Sequence, residues 1–347
     1  MNKKFIDENT LQKIIEGIKG VTVCTIGDVC LDFYAFADMK LSSLSRETPH
    51  YPLPVVKETF SPGGGGNVIN NIKALGVKEL LPVSVIGNDW RGFILAKYFE
   101  QNGFNQDYIL RCDDFVTTCY LKPMRMGISD VVYEDPRLDF ENRGPISSEI
   151  EEKLIENLKN AAARADILVV SDQMKNGIIT DRVRGQISLI AKRIPVIVDS
   201  RENSAKYEGV IVKPNEVEAA FIIGRDITGL DLDIGELCEI GNALQIKNGA
   251  PALVTLGDKG AIWCENGSVT LTPTIKAEPP VDFVGAGDTF LSAFSCAFAS
   301  GASGSDAAAF ANLASGVTVK KIGTTGTATP GEIMEKFKEN EIKWEIQ

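Results

Sequence analysis

The stretch DFVGAGDTFLSAFSCAF (282–298) carries the strongest structural signal in the sequence. Its Gly-Ala-Gly turn leads directly into an apolar helical pattern, and Asp288 falls in the first turn of that helix. Glycines let backbone N–H groups approach an anion closely, and the helix N-terminus adds partial positive charge. The stretch therefore predicts an anion hole at Gly285, Ala286 and Gly287, with a carboxylate beside it.

Asp288 has two interpretations. An aspartate at a helix start most often complements the helix dipole as a cap. Beside an anion hole, the same carboxylate could take the proton of an attacking hydroxyl while the N–H groups stabilise a phosphoryl group in transfer. The rest of the sequence has to decide between them.

Short apolar strands alternate with helical segments along most of the chain. The clearest strand patterns are VTVCTIGD (21–28), ILVVSD (167–172), PVIVDS (195–200), GVIVKPN (209–215) and PALVTLG (251–257). Separated by helices of roughly 10–20 residues, such strands predict an α/β fold with a mostly parallel central sheet covered by helices on both faces. We expect polar side chains at the strand ends to gather at one sheet edge, where a ligand binds. These residues are Asp28, Asp172, Asp199, Asn215 and Thr255.

Two segments, about 33–60 and 115–141, lack helical patterns and contain strand-like runs. We expect them to pair as a small antiparallel β lid over the polar edge of the sheet. A lid that excludes water favours transfer of a group over its hydrolysis. No repeat or linker divides the sequence, which predicts one α/β domain over residues 1–347 with the lid inserted into it.

Charge and residue usage argue against several functions. The 347 residues include 36 Lys and Arg against 47 Asp and Glu, a formal charge of −11, so we expect neither nucleic acid nor a membrane as a partner. Seven scattered cysteines without a Cys-x-x-Cys pair, and no secretory or membrane-spanning apolar stretch, favour a cytoplasmic protein. With one histidine, His50, catalysis has to rest mainly on carboxylates, lysines, hydroxyls and backbone groups.

Two further motifs suit a phosphoryl-transfer site. PGGGGNVINNIKALG (62–76) places four glycines before Asn67 and a helix, so backbone could lie against a ligand while the Asn side chain binds hydroxyls. The alternative interpretation of the four glycines is a flexible turn without a ligand. KPNEVE (213–218) places Glu218 three residues after Asn215, which is also the pattern of a helix capping box.

Together the motifs resemble the ribokinase-like (PfkB) carbohydrate kinases, in order and spacing, over about residues 21–335. The five matching stretches are GDVCLD (27–32), PGGGGN (62–67), KPNEVE (213–218), VTLGDKGA (254–261) and DFVGAGDTF (282–290). The resemblance implies a ribokinase-like α/β fold and ATP-dependent phosphorylation of a sugar or sugar phosphate. By position, Asp288 matches the general base that deprotonates the acceptor hydroxyl. Gly285, Ala286 and Gly287 match the anion hole for the γ-phosphate.

The resemblance also implies the other ligands. Those of the sugar hydroxyls fall at Asp32, Gly64, Gly65 and Asn67. Those that organise Mg²⁺, largely through water, fall at Asn215 and Glu218. The nucleotide-binding turn falls at Thr255, Gly257 and Gly260, and the adenine pocket includes Asn312. Many members bind a monovalent cation such as K⁺ where this sequence has Asp282 and the backbone near Gly323.

Within the family, the sequence looks most like the heptose 7-phosphate kinase domain of ADP-heptose synthases, which phosphorylates the anomeric position. The matching stretches are GDVCLD, SRETP followed by LPVVK, LVVSDQMKNG, RLDFE (137–141) and KKIGTTG (320–326). An acceptor that already carries phosphate needs cations, and the lid offers Lys122, Arg125 and Arg137. Solvated lid charges are the alternative interpretation of those three residues.

Departures from the family pattern keep other functions open. Val284 stands where the family usually has Thr, and the insertions HYP and YEDP lengthen the two lid segments. The alternatives are a free-sugar kinase of the ribokinase or fructokinase type, a nucleoside kinase, and a catalytically silent sugar-nucleotide sensor. The presence of Asp288, Asn215 and Glu218 argues against the sensor. The exposed pairing edges of the lid strands further predict a homodimer through the lid.

Overall fold

The structure, a computed structural model, describes residues 2–323 and 325–346, and it describes side chains through residue 339. Met1, Thr324 and Gln347 lie outside the described residues. Of the domain predicted over residues 1–347, the structure therefore describes all but these three residues. The KKIGTTG stretch (320–326) is described without Thr324. Among the described residues, no helix combines the length and the apolar character needed to cross a bilayer.

Strands and helices alternate along the described chain. The strands are β1 (Asn2–Lys3), β2 (Thr22–Gly27), β3 (Val29–Asp38), β4 (Val55–Gly64), β5 (Glu79–Gly87), β6 (Ile109–Cys112), β7 (Cys119–Met126), β8 (Tyr133–Glu134), β9 (Leu138–Phe140), β10 (Ile167–Asp172), β11 (Val196–Ser200), β12 (Ile211–Val212), β13 (Ala252–Thr255), β14 (Ala261–Glu265) and β15 (Ser268–Thr272). The helices are α1 (Glu8–Ile18), α2 (Gly65–Ala74), α3 (Trp90–Gln101), α4 (Ser148–Ala162), α5 (Asp181–Ile190), α6 (Glu216–Ile222), α7 (Ile234–Asn248), α8 (Ala286–Ala299), α9 (Gly304–Thr318) and α10 (Pro330–Ile346).

The central sheet contains ten of the described strands, in the order β1-β15-β14-β13-β12-β11-β10-β2-β5-β6. Neighbours from β6 to β13 pair in parallel, whereas β14 pairs antiparallel with both β13 and β15. The five strands predicted from the sequence form β2, β10, β11, β12 and β13 within this sheet. The mostly parallel α/β architecture is therefore confirmed.

Helices cover both faces of the sheet because successive side chains of a strand point to opposite faces. On β2, Val23 joins the core beneath α1, α2, α8 and α9, whereas Cys24 and Ile26 join the core beneath α4, α5 and α7. Both faces of the parallel strands are thus buried. This double burial explains why these strands appear in the sequence as continuous apolar runs.

The lid is a separate sheet of five described strands, ordered β4-β3-β7-β8, with β9 also paired to β7. β3 and β4 pair antiparallel, as do β7 with β8 and β9. The prediction of an antiparallel lid is wrong at the centre of the lid sheet, where β3 and β7 pair in parallel. β3 follows β2 and β7 follows β6, so both lid strands leave parallel strands of the central sheet at the same edge and run in the same direction.

The two faces of β3 differ in chemistry. Leu31 and Phe33 pack against Phe99 of α3 in a small core of their own. Asp32 and Tyr34 point to the other face of β3. In the parallel register, Asp32 pairs with Tyr120 of β7, and Tyr34 pairs with Lys122. One face of the lid is therefore anchored to the domain, and the other carries polar side chains.

Candidate active site

The polar strand ends lie together at one edge of the sheet, as expected from the sequence. The Asp28 carboxylate accepts backbone N–H bonds from Gln173, Met174 and Ile178 at 2.7–3.2 Å. Asp172 is buried and accepts hydrogen bonds from the side chains of Ser200, the last residue of β11, and of Asn203 and Tyr207 after it. Burial raises the pKa of Asp28 to about 7. These two carboxylates tie the strand-end loops to the sheet.

Asp288 lies where two of the predicted motifs meet. Asn67, near the start of α2, donates a hydrogen bond from Nδ2 to Asp288 Oδ2 at 2.8 Å. Gly285 precedes α8 with φ +79°, and a Cβ at that position would lie 2.7 Å from Asn67 Nδ2. Glycine is thus required here by both conformation and space. The glycine-rich run and the Gly-Ala-Gly turn form one site.

The electrostatic surroundings of Asp288 suit a general base. Burial raises the pKa of Asp288 to about 7. The hydrogen bond from Asn67 and the ammonium of Lys213 act to lower this pKa, whereas the charges of Asp199 and Asp32 act to raise it. A general base works best when its pKa lies near the working pH, because a large fraction is then ionised and the ionised form still binds a proton strongly.

The predicted anion hole lies at the N-terminus of the 14-residue helix α8. The N–H of Ala286 already donates to the carbonyl of Phe283 at 3.1 Å. The N–H of Val284 donates to Asp282 Oδ1 at 3.0 Å. An incoming phosphoryl group would therefore depend mainly on the amides of Gly285 and Gly287, which lie within three residues of Asp288 in the chain.

The predicted sugar ligands surround the same carboxylate. Asp32 is buried, and a Cβ on Gly63 would lie 2.3 Å from its Oδ2, so the backbone of the glycine run passes directly over it. Gly64 has φ +55°, and the N–H of Gly65 donates to the carbonyl of Asp28 at 2.8 Å. Asn67 is fully buried. The structure thus brings the four predicted sugar ligands to one wall of the site.

A cleft of about 270 Å³ opens beside Asp288. Seven of its lining residues were predicted from the sequence to lie at this edge, namely Asp199, Asn215, Glu218, Thr255, Gly285, Gly287 and Asp288. Three were not, namely Gln173, Arg201 and Lys213. We refer to this space as the transfer cleft.

Asn215 and Glu218 form a reciprocal capping box at the start of α6. Asn215 Oδ1 accepts from the Glu218 N–H at 2.8 Å, and Glu218 Oε2 accepts from the Asn215 N–H at 2.9 Å. Within the described residues, no group of three or more His, Cys, Asp or Glu side chains is placed to hold a metal ion directly. This chemistry fits a Mg²⁺ ion that keeps its water and is contacted by Asn215 and Glu218 through it.

An apolar cavity of about 390 Å³ adjoins the transfer cleft, and the two share Asn215, Thr255 and Gly287. Its lining includes the other predicted nucleotide ligands, Gly257, Gly260 and Asn312, together with apolar side chains such as Ile275, Phe290 and Val319. Asn312 Nδ2 donates to the carbonyl of Thr272 at 2.8 Å. A cavity with apolar walls and few polar groups suits a flat heteroaromatic base.

Asp282 and Gly323, the predicted cation position, are in contact. The N–H of Gly323 donates to Asp282 Oδ2 at 2.9 Å. Asp282 Oδ1 also accepts from the Val284 N–H, and the Asp282 N–H donates to the carbonyl of Val319, so this residue links Val319 and Gly323 to the loop that precedes the anion hole. Binding of a monovalent cation at this position stays a prediction.

The three lid cations predicted to bind a substrate phosphate each face a lid carboxylate. Lys122 Nζ lies 3.1 Å from Asp32 Oδ1. Arg125 pairs with Asp135 at 2.7 Å, and Arg137 pairs with Asp139 at 2.6 Å. Arg137 also stacks over Tyr120, with its guanidinium carbon 4.2 Å from the ring centroid.

Lys213 is the functional candidate that the sequence analysis missed. Its side chain is buried, and Nζ lies 2.9 Å from Asp199 Oδ2 in the transfer cleft. The signal was present, because Lys213 ends the β12 run immediately before the Asn215 motif. A buried cation in a site that handles phosphates offers charge stabilisation during transfer.

The sheet order, the inserted lid and the anion-hole helix define a ribokinase-like kinase. Residues 22–330 match the model of the pfkB family of carbohydrate kinases, and the chain belongs to that family. It is an ATP-dependent carbohydrate kinase, and the family implies the use of Mg²⁺ with the nucleotide.

Solved structures support the fold. The structure of Arabidopsis thaliana ribokinase with ribose and ATP has a TM-score of 0.64 at 19% identity, and phosphofructokinase-2 from Escherichia coli with fructose-6-phosphate has a TM-score of 0.70 at 19% identity. Each comparison covers 92% of this chain and 99% of the other.

Curated relatives include longer proteins. The chain is 31% identical over 335 residues to the bifunctional protein HldE of Geobacter metallireducens, covering 95% of this chain and 65% of that protein. It is 30% identical over 346 residues to the protein of the same name in Syntrophotalea carbinolica, covering 98% of this chain and 68% of the relative. The chain thus spans about two thirds of the length of these relatives.

Replacing Asp288 with Asn should lower turnover at least about a hundredfold, because a positioned general base contributes about 10²–10⁴ in rate. In the unaltered chain, kcat should fall as the pH drops through about 7, since protonated Asp288 cannot accept the acceptor's proton. Steady-state kinetics over pH 5–9 would measure both effects, with the exposed Asp107→Asn variant as control. Near-normal turnover of Asp288→Asn would contradict the assignment.

Replacing Lys213 with Met should shift the acidic limb of the pH–kcat profile to higher pH. The ammonium of Lys213 lowers the pKa of Asp288, so its removal leaves the carboxyl protonated at higher pH. The same pH series would test this, with Lys192→Met on the exposed surface as the matched variant. If Lys213→Met lowers kcat at every pH without shifting the acidic limb, Lys213 has no electrostatic influence on Asp288.

Proposed function

We propose that this chain is a D-glycero-D-manno-heptose 7-phosphate 1-kinase, which transfers the γ-phosphoryl group of ATP to the anomeric hydroxyl. One observation carries the proposal. The transfer cleft at Asp288 shares residues with the apolar cavity on one side, and shares Gln173 and Arg201 with a polar cavity beneath the lid on the other. A nucleotide and an elongated polar acceptor could therefore meet at Asp288.

The substrate class draws on the relatives. The curated HldE proteins match 95–98% of this chain at 30–31% identity. The structure of phosphofructokinase-2 from Escherichia coli holds fructose-6-phosphate, a phosphorylated sugar, on the same fold. Both favour an acceptor that already carries phosphate.

The residues of the cleft have distinct tasks in this reaction. Asp288 accepts the hydroxyl proton as the acceptor oxygen forms its bond to the γ-phosphorus, and the bond between that phosphorus and the ADP oxygen breaks. The amides of Gly285 and Gly287, with Lys213, stabilise the charge on the transferring group. Asn215 and Glu218 would hold Mg²⁺ through water, and the ion would neutralise charge on the nucleotide phosphates.

We also propose that Asp282 and the backbone near Gly323 bind a monovalent cation. The carboxylate connects these residues to the loop before the anion hole. A structure of phosphofructokinase-2 from Escherichia coli contains potassium. A cation at this position would stabilise the loop in which the Gly285 amide lies.

A free-sugar kinase is the second candidate, and one observation favours it. Lys122, Arg125 and Arg137 all face lid carboxylates, so none is a spare cation for a substrate phosphate. The solved structure of Arabidopsis thaliana ribokinase holds an unphosphorylated sugar on this fold.

A substrate panel separates the two candidates. Mg-ATP consumption would be measured with heptose 7-phosphate, unphosphorylated heptose, ribose, fructose, fructose 6-phosphate and nucleosides, each with KCl and with NaCl. We expect heptose 7-phosphate to give the highest kcat/KM, with the new phosphate at the anomeric carbon by phosphorus NMR. Activity confined to unphosphorylated sugars would establish the second candidate, and no activity on any acceptor would favour a sensor.

We further propose a homodimer formed through the lid. Lid residues with large exposed apolar side chains include Val55, Val56, Ile128, Val132 and Leu138. β4 is a terminal strand of the lid sheet, so its outer edge offers unpaired backbone groups to a second copy. A solved structure of the tetrameric inhibited form of phosphofructokinase-2 from Escherichia coli supports the view that this fold can assemble.

Sedimentation velocity would test the dimer. Val56→Glu should convert a dimer into a monomer, because a carboxylate placed in an apolar interface is desolvated without a partner. Leu189→Glu, at a similarly exposed position on α5, should leave the mass unchanged. A monomeric unaltered chain at micromolar concentration would refute the proposal.

A further inference from the structure

We propose that the acceptor's existing phosphate binds in the polar cavity beneath the lid, held by Lys175, Lys206 and Arg201 in place of the lid cations. This inference rests on the proposed function, because it assumes a phosphorylated acceptor. It assigns the binding of that phosphate to loops of the central sheet instead of the lid strands.

The cavity has the position and size for this task. It measures about 390 Å³ and lies between Tyr120 of the lid and the loops that follow β10 and β11. Gln173 and Arg201 line both this cavity and the transfer cleft, so the two spaces adjoin at these residues. An acceptor whose reacting hydroxyl lies at Asp288 would extend past Arg201 and place its far end between the two lysines.

The charges of the cavity favour an anion. Lys175, Lys206 and Arg201 line it, are exposed, and form no ion pair with any residue whose side chain the structure describes. The lid cations, in contrast, are each paired with a carboxylate. The lining holds three acidic residues: Asp172 faces Arg184 at 3.5 Å, Glu141 accepts from the Tyr120 hydroxyl at 3.4 Å, and Glu202 is exposed and has no ion partner among the described side chains. The three unpaired cations thus outnumber the two carboxylates without a cation partner, Glu141 and Glu202, so the unpaired charge of the cavity is net positive.

A buried network holds the loop that carries Arg201 and Lys206. Both the Ser200 hydroxyl and the Tyr207 hydroxyl donate to Asp172 Oδ2, at 3.0 and 2.9 Å. These two residues flank the loop, so the carboxylate at the end of β10 fastens the loop at both ends. Asp172 and Tyr207 are positioning residues, because they act on the phosphate only through the cations of the loop.

The consequence for kinetics is specific. The phosphate lies away from the reacting hydroxyl and its contacts need not change during transfer, so we expect those contacts to stabilise the ground state and the transition state equally. Loss of its cations should therefore raise KM for the phosphorylated acceptor with little change in kcat. Binding of Mg-ATP, on the other side of the transfer cleft, should not change.

Alanine variants test the assignment. Lys175→Ala and Lys206→Ala should each raise KM for heptose 7-phosphate about tenfold or more, as expected for lost hydrogen bonds to a charged group. KM for Mg-ATP should stay within about twofold, since neither lysine lines the nucleotide cavity. Lys159→Ala, an exposed lysine on α4, is the matched control.

Each outcome has a separate meaning. If the unaltered chain uses heptose 7-phosphate and both lysine variants keep its KM, the inference is wrong while the proposed function stands. If Arg125→Gln instead raises KM for heptose 7-phosphate, the phosphate binds at the lid cations and the inference is wrong. If the unaltered chain prefers unphosphorylated heptose, the proposed function fails and the inference fails with it.

Tyr207→Phe provides a second measurement that spares every cation of the cavity. The variant removes one hydroxyl from the Asp172 network. We expect a several-fold rise in KM for heptose 7-phosphate at unchanged kcat, and an unchanged KM for unphosphorylated heptose. A purely structural role would lower the melting temperature and alter both acceptors alike, which would refute the positioning role.

Discussion

The hydrogen bond between Asn67 and Asp288 is the contact on which the site depends. It joins residues 221 positions apart and brings α2 against the start of α8. Asn71 extends the contact, because it donates to Asn67 Oδ1 at 3.1 Å and accepts from the Thr289 hydroxyl at 3.0 Å. This buried polar chain fixes the distance between the glycine-rich run and the anion hole. The predicted sugar ligands and the candidate base are therefore positioned by one network.

Burial, together with the charged and polar groups around Asp288, sets the pKa of this candidate base. Asp288 lies among the carboxylates Asp32 and Asp199, which disfavour its ionisation, and beside Asn67 and Lys213, which favour it. Lys213 is itself paired with Asp199 at 2.9 Å, so the cation and the carboxylate balance each other next to the base. A small change in any of these groups should alter the pH dependence of transfer before it alters the fold.

The buried carboxylates Asp28 and Asp172 show that, at this sheet edge, the residues that hold the loops differ from the residues that line the transfer cleft. Neither lines the transfer cleft, and both hold loops that do line the acceptor side. Under the proposed function, substrate choice depends on which cations those loops present, whereas the transfer chemistry depends on α8. This separation explains how one fold can keep its transfer machinery while accepting different sugars.

Local patterns in the sequence determined the parallel strands and the helix that carries Asp288, because each depends on backbone propensities within a few residues. The roles of Asp288 as general base and of Thr255, Gly257 and Gly260 in nucleotide binding stay predictions. The tertiary structure decided the rest. The parallel pairing of β3 with β7 follows from the direction in which both strands leave the sheet. That register places Lys122 beside Asp32, and long-range packing pairs Lys213 with Asp199. Which cations are neutralised and which remain for a ligand depends on contacts between distant segments, which local sequence patterns do not specify.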